Sequence, residues 1–241
     1  MVFMKDSERA ADVATRMNVD IGLHLNFSEP LSACAVPAAL AAEHRSIAEF
    51  LARSPYARLM YNPMLRTAFR NVYDAQIEEF NRLYGRAPSH IDGHHHQHLC
   101  ANMLVDPLIP RGFRVRRNFT FVVGEKGIMN RGYRRLVDIC LARRYVITDY
   151  FFSLQQSLNG HARSLVEISD LAKVGDVELM THPRNPEEFG CLSGMQFERL
   201  LGAIAPGARH AIRSSRVPSW ERGWMQSSTR RPGLRRRSFL N

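Results

Sequence analysis

Short apolar runs alternate along this chain with longer stretches of helical spacing, and that alternation constrains the fold more than any other feature. Each kind of segment has one face to bury, so the two must pack on each other. The stretches "NVDIGLHL", "SHIDGHHH", "GFRVRRNF", "YVITDYFF" and "DVELMTHP" read as strands. Between them lie helix candidates. Ala10, Val13, Ala14 and Met17 recur at helical spacing behind the candidate caps Asp6 and Ser7, and "EHRSIAEFLAR" follows. Pro63 opens a long amphipathic segment with Phe69, Val72, Tyr73, Ile77, Phe80 and Leu83 on one side, and Gly85 stops it. The stretches "NRGYRRLVDICLARR", "SLVEISDLAKVG" and "SGMQFERLLGAI" complete the series. The expected fold is α/β with a mainly parallel sheet, open or closed into a barrel. A chain of 241 residues is long enough for one core.

Charge separates this body from its end. The net charge of +10 invites a nucleic-acid function, but residues 208–241 carry nine arginines against the single acid Glu221, leaving only +2 on residues 1–207. Two regions are therefore expected: an α/β domain over 1–207 and an Arg-rich, poorly packed tail over 208–241, where Ser, Pro and Gly rise and aliphatic periodicity stops. Nucleic-acid binding is not expected, since a basic tail with Trp220 and Trp224 as its main stacking aromatics offers salt-sensitive, sequence-blind contacts at most.

Apolar runs such as "CAVPAALAA" fall well short of the ~20 residues a membrane span requires. Lys5 and Asp6 interrupt any secretory leader, so a cytoplasmic location is expected. The four cysteines form no C-x-x-C pair and are expected to be buried thiols.

The stretch "HIDGHHHQHL" places five histidines in ten residues. If residues 89–98 are extended, His90, Asp92, His94, His96 and His98 share one face at a strand end, where active sites of parallel α/β folds gather. His24 in "IGLHL" and His182 in "ELMTHP" stand in the same kind of position. Isolated histidines are more often structural, and His44, His161 and His210 are given no role. The H-x-H-x-H run points to a metal site. Two imidazoles and a carboxylate leave coordination positions open, and a metal in such a site lowers the pKa of water and polarises a carbonyl, which is hydrolytic chemistry. Asp92 is placed to orient a ligand imidazole, and His182 to supply a proton. There is no Walker A sequence, G-x-G-x-x-G, H-E-x-x-H or G-x-S-x-G.

Taken together, "VDIGLHLNFSEP", "GRAPSHIDGHHHQHL" and "VELMTHP" resemble, in order and spacing, the YdjC-like carbohydrate deacetylases, over about Met1 to Gly202. The resemblance implies a (β/α) barrel-like fold that removes acetyl groups from N-acetylated sugars with a divalent metal. It places the metal histidines on His24 and His94, the His-Pro element on His182, the Asp of the His-rich element on Asp92, and pocket-forming histidines on His96 and His98. The family's opening strand, ending in a pair of aspartates, has no counterpart in "MVFMKDSERAADVA", so one βα unit on the order of 30 residues is expected to be missing at the N-terminus.

The expected function is metal-dependent hydrolysis of the acetamide of an N-acetylated sugar or oligosaccharide, with His24 and His94 as metal ligands and His182 and Asp92 as catalytic groups. The alternative is a catalytically incomplete member that binds sugar or metal. Imidazole ligands favour Zn²⁺ by softness, whereas the resemblance implies Mg²⁺. The number of chains that assemble is left open, a homodimer included.

Overall fold

The computed structural model of the chain describes residues 1–121 and 127–202; the expected tail at 208–241 and the end of the expected 1–207 domain lie outside the described residues. The amino-terminal half runs α1 (Ser7–Met17), β1 (Leu23–Leu25), α2 (Ala38–Ala52), α3 (Arg66–Tyr84), β2 (Ile91–Gly93) and α4 (Ala101–Val105). The second half runs α5 (Ile128–Ala142), β3 (Tyr150–Ser153), α6 (Leu154–Leu158), α7 (Leu165–Ala172), β4 (Val177–Met180), α8 (Pro186–Leu192) and α9 (Met195–Gly202).

Helix α3 shows how the local pattern becomes tertiary packing. Its buried residues Phe69, Val72, Tyr73, Gln76, Ile77 and Phe80 recur at three- and four-residue intervals, so they form one stripe. Pro63 opens a 3-10 turn before the helix, and Gly85 caps its end at φ 65°, a conformation glycine adopts without steric cost. The stripe packs with Leu23, Leu25 and Phe27 around β1, where the Phe27 and Phe69 rings lie 5.1 Å apart. Ile91, Leu99, Met103, Ile109, Val115 and Leu141 extend the same core.

The strands are parallel, as expected, but short. β1 pairs with β2 in the register Leu23↔Ile91, His24↔Asp92, Leu25↔Gly93. β3 pairs with β4 from Tyr150↔Val177 to Ser153↔Met180. The stretch "GFRVRRNF" is less regular than its sequence suggests. It contributes the isolated bridges Ile91↔Val115 and Arg114↔Val146, which run from β2 to a residue preceding β3 without forming a ladder. Two two-stranded sheets result, and no barrel closes among the described residues. Strands of three or four residues carry too few ladder bonds to continue a wall around a barrel.

Two local expectations are corrected. In α1 the buried face is Ala11 and Ala14, whereas Ala10, Val13 and Met17 face out, and Asp6 occupies the N-cap without a side-chain bond. Small residues let α1 lie close to α3, so the larger apolar side chains are rotated outward. Of the cysteines only Cys100 is buried; Cys34 and Cys140 are exposed and Cys191 is half-buried. No helix among the described residues is long and apolar enough to cross a membrane.

Candidate metal centre

The β1–β2 register places His24 directly across from Asp92. Nδ1 of His24 lies 2.9 Å from Asp92 Oδ1, so the other ring nitrogen, Nε2, is left to face away from the carboxylate. The second oxygen of Asp92 pairs with Arg116, whose Nε donates to Glu178 Oε1 on β4 at 2.6 Å. The Arg116 guanidinium also lies over the Phe151 ring, 4.9 Å from its centroid. Arg116 thereby ties the two sheets together at the site. Burial by itself would raise the Asp92 pKa, but the hydrogen bond from His24 and the Arg116 charge hold the carboxyl well below the usual carboxylate range. Asp92 is therefore a fixed anion at neutral pH.

The histidine run does not continue the strand. β2 ends at Gly93, and residues His94–Leu99 coil into 3-10 turns kinked at His95 (φ 50°) and His96 (φ 58°). Two consecutive non-glycine residues in the left-handed region cost on the order of 1–3 kcal/mol each. The expected single face of His90, Asp92, His94, His96 and His98 is consequently broken up. His90 precedes the strand; its Nδ1 lies 2.9 Å from Ser89 Oγ, and its ring covers Gly22. Gly93 permits the tight return, because a Cβ there would sit 2.9 Å from both the backbone nitrogen and Nδ1 of His98. His98 is buried, with Nε2 3.0 Å from the Arg116 carbonyl, and burial lowers its pKa to about 4. It borders a cavity of about 170 Å³ lined by apolar residues such as Met103, Ile109 and Leu141 together with Arg143 and Arg144. His96 packs edge-on against Phe119 and Phe151, and burial, aided by His98 and Arg116, lowers its pKa to about 3. Both rings are neutral near pH 7.

His94 remains with His24. Their ring centroids are 5.7 Å apart in an edge-on arrangement. The His94 pKa is lowered by burial first and by His95 second, against the opposing effect of the nearby Glu29 carboxylate. A neutral imidazole with an available lone pair is the form that binds a metal. His95 lies beside it, ring centroids 3.9 Å apart. Nε2 of His94 is 3.4 Å from Glu29 Oε1. The donor atoms of Glu29, His94 and His95 all lie within 4.8 Å of one another.

Sequence reasoning overlooked Glu29. The loop that presents it is braced from the core: Asn26 Oδ1 accepts from the backbone N–H groups of Ser28 and Glu29, and Asn26 Nδ2 donates to the Glu29 carbonyl. Asn26 is braced in turn by Gln76 of α3, which accepts from its N–H at 2.7 Å and donates to its carbonyl at 3.0 Å. A polar residue within the otherwise apolar stripe of α3 is the sequence signal for this brace.

His182 lies two residues beyond β4, and its contacts run to Glu188 rather than to the β2 histidines. Its backbone N–H donates to Glu188 Oε2 at 2.6 Å, and its Nδ1 is 3.4 Å from Oε1. Glu188 is fully buried in α8, whose N-cap is Asn185 with Pro186 following. The structure thus brings His24, Asp92 and His94 together and holds His182 on a separate support. The donor group that converges among the described residues is Glu29, His94 and His95, a carboxylate with two imidazoles, which fits a divalent ion; His24 stands beside it, its ring centroid 5.7 Å from that of His94.

The family model for the YdjC-like protein matches residues 1–220 of the chain. A mouse protein named carbohydrate deacetylase is 29% identical over 128 residues, which cover 51% of this chain and 39% of that protein. A Vibrio cholerae protein of the same name is 27% identical over 186 residues, covering 76% of this chain and 65% of its own length. A Xenopus laevis counterpart is 28% identical over 161 residues, covering 66% and 47%. The chain therefore spans less than two thirds of the length of these relatives.

Proposed function

The chain belongs to the YdjC-like protein family, and from that premise we propose that it hydrolyses the acetamide of an N-acetylated carbohydrate with a divalent ion held by His24 and His94. The observation that carries the proposal is the His24–Asp92 pair across the β1–β2 register, which leaves Nε2 of His24 clear of the carboxylate on a ring whose centroid lies 5.7 Å from that of His94. A carboxylate behind a ligand imidazole fixes its tautomer and raises its basicity. Asp92 accordingly acts through His24 as a positioning residue, itself kept anionic by Arg116.

A divalent ion bound there supplies Lewis-acid polarisation of the acetyl carbonyl and acidifies water; Zn²⁺ suits the imidazoles and Mg²⁺ suits the carboxylate. In the overall reaction the C–N bond of the acetamide breaks, a C–O bond from water forms, and the freed amine takes a proton. His182, exposed and held by the buried Glu188, is the proton donor in this scheme. His96 and the stacked Phe119 and Phe151 rings supply an aromatic wall next to Arg116.

The test is acetate release from N-acetylglucosamine oligosaccharides with added Mg²⁺ or Zn²⁺, for the parent and for His94→Ala. Metal-dependent acetate from the parent, with loss of both metal and activity in the variant, is expected. Metal content unchanged in His94→Ala refutes the ligand assignment. A catalytically incomplete, sugar- or metal-binding role is favoured by one observation: both oxygens of Asp92 are engaged, one by His24 and one by Arg116, so neither is free to activate water. That role predicts binding without acetate above the metal-free control.

A further inference from the structure

Glu29 and His94 are spaced poorly for a hydrogen bond and well for sharing an ion. Their 3.4 Å separation is long for an N–H···O contact, which prefers 2.7–3.2 Å. Donors bound 2.0–2.2 Å from a common ion lie roughly 3.3–3.6 Å from each other. Building on the metal site proposed above, we propose that Glu29 is the carboxylate ligand of the ion held by His94, with His95 as a neighbouring imidazole donor.

Three features of the structure support this assignment. The donor atoms of Glu29, His94 and His95 form the group that converges within 4.8 Å among the described residues. The Glu29 side chain is 45% exposed, yet its backbone is held on both sides by Asn26, itself fixed by the buried Gln76. An exposed carboxylate with no task requires no such support. The left-handed backbone at His95 then places that ring next to His94 instead of on the opposite side, as an extended strand would. Asp92 cannot serve instead, since His24 and Arg116 occupy its oxygens. Glu29 thus supplies a carboxylate from this chain's own loop.

The probes are Zn²⁺ by calorimetry and Co²⁺ by its visible absorption, applied to the full chain and to Glu29→Gln, Glu29→Asp, His95→Asn, His24→Gln and His94→Ala. Glu29→Gln, which removes a direct anionic ligand, is expected to weaken binding by roughly 100-fold or more, beyond the roughly 10–100-fold typical of losing an outer-shell partner, and to change the Co²⁺ spectrum. Glu29→Asp recovers part of the affinity, and His95→Asn shifts both readouts in the direction of Glu29→Gln. Parent affinity and spectrum in Glu29→Gln overturn the inference. So does weaker binding with an unchanged spectrum, which marks a through-space charge effect. Binding lost in His24→Gln yet intact in Glu29→Gln overturns Glu29 ligation and leaves the His24–His94 site standing. A parent that binds neither ion overturns both. Far-UV circular dichroism and the denaturant midpoint confirm folding of each variant.

Discussion

Replacing Gln76 with Leu tests whether the loop carrying Glu29 is anchored from α3. Gln76 is buried in the helix stripe, where a leucine of similar size fits the apolar surroundings. What leucine cannot do is bond Asn26. The substitution strands the Asn26 N–H, bonded at 2.7 Å, and removes the Gln76 amide donor from its carbonyl at 3.0 Å, both in a fully buried residue. Each stranded backbone group costs about 1–3 kcal/mol. The greater apolarity of leucine returns about 1–2 kcal/mol. A net loss of about 3 kcal/mol is expected, equivalent to about 6–12 °C in Tm for a chain of this size. Urea unfolding with an unchanged m-value measures it, and a Co²⁺ titration reports whether Glu29 has moved. A variant within about 1 kcal/mol of the parent, with parental Co²⁺ affinity, refutes the anchoring role.

Other consequences follow from particular side chains. Burial lowers the pKa of His44 from its ordinary 6.5, against a smaller opposing effect of the Asn26 backbone, so the unfolded chain binds a proton there before the folded one does. The resulting stability is present above 6.5 and is lost as pH falls toward the folded value; His44→Leu should flatten the stability slope between about pH 7 and about pH 5, and parallel slopes would refute it. Gly93→Ala pushes a Cβ to 2.9 Å from the His98 backbone nitrogen, which predicts a loss of about 1–3 kcal/mol in denaturant unfolding and a weaker metal site. Burial raises the Cys100 thiol to about 11, so a thiol reagent under native conditions should label Cys34 and Cys140 well before Cys100; labelling of Cys100 at the same rate would contradict its burial.

Helix α3 was readable from periodicity because its stripe is a property of consecutive residues: Phe69, Val72, Tyr73, Ile77 and Phe80 must share a side on any helix of that pitch. The end at Gly85 was readable for the same local reason. The parallel α/β character followed from alternation, and a histidine-rich centre at a strand end followed from composition. The strand expected over "GFRVRRNF" reduced to bridges because a ladder requires partners of matching length, which no local pattern reports.

The site itself depended on contacts between distant segments. The His24↔Asp92 register joins residues from strands separated by α2 and α3, and a shift of one position would send Asp92 to the other face. The turn at His95 and His96 overrode the strand alternation that the H-x-H-x-H spacing invites, since packing of His98 beneath Gly93 demands a left-handed return. Glu29, Arg116 and Glu188 carried no local signature strong enough to single them out, and Gln76 stood out only as a polar residue in an apolar stripe, with nothing to name its partner; each gains its role from a neighbour brought close by folding. Local order along the chain decides which side chains a helix or strand presents, because periodicity is a backbone property. Which of those side chains meet is decided by the packing of whole elements, because register, turn handedness and buried charge pairing exist only once distant strands lie side by side.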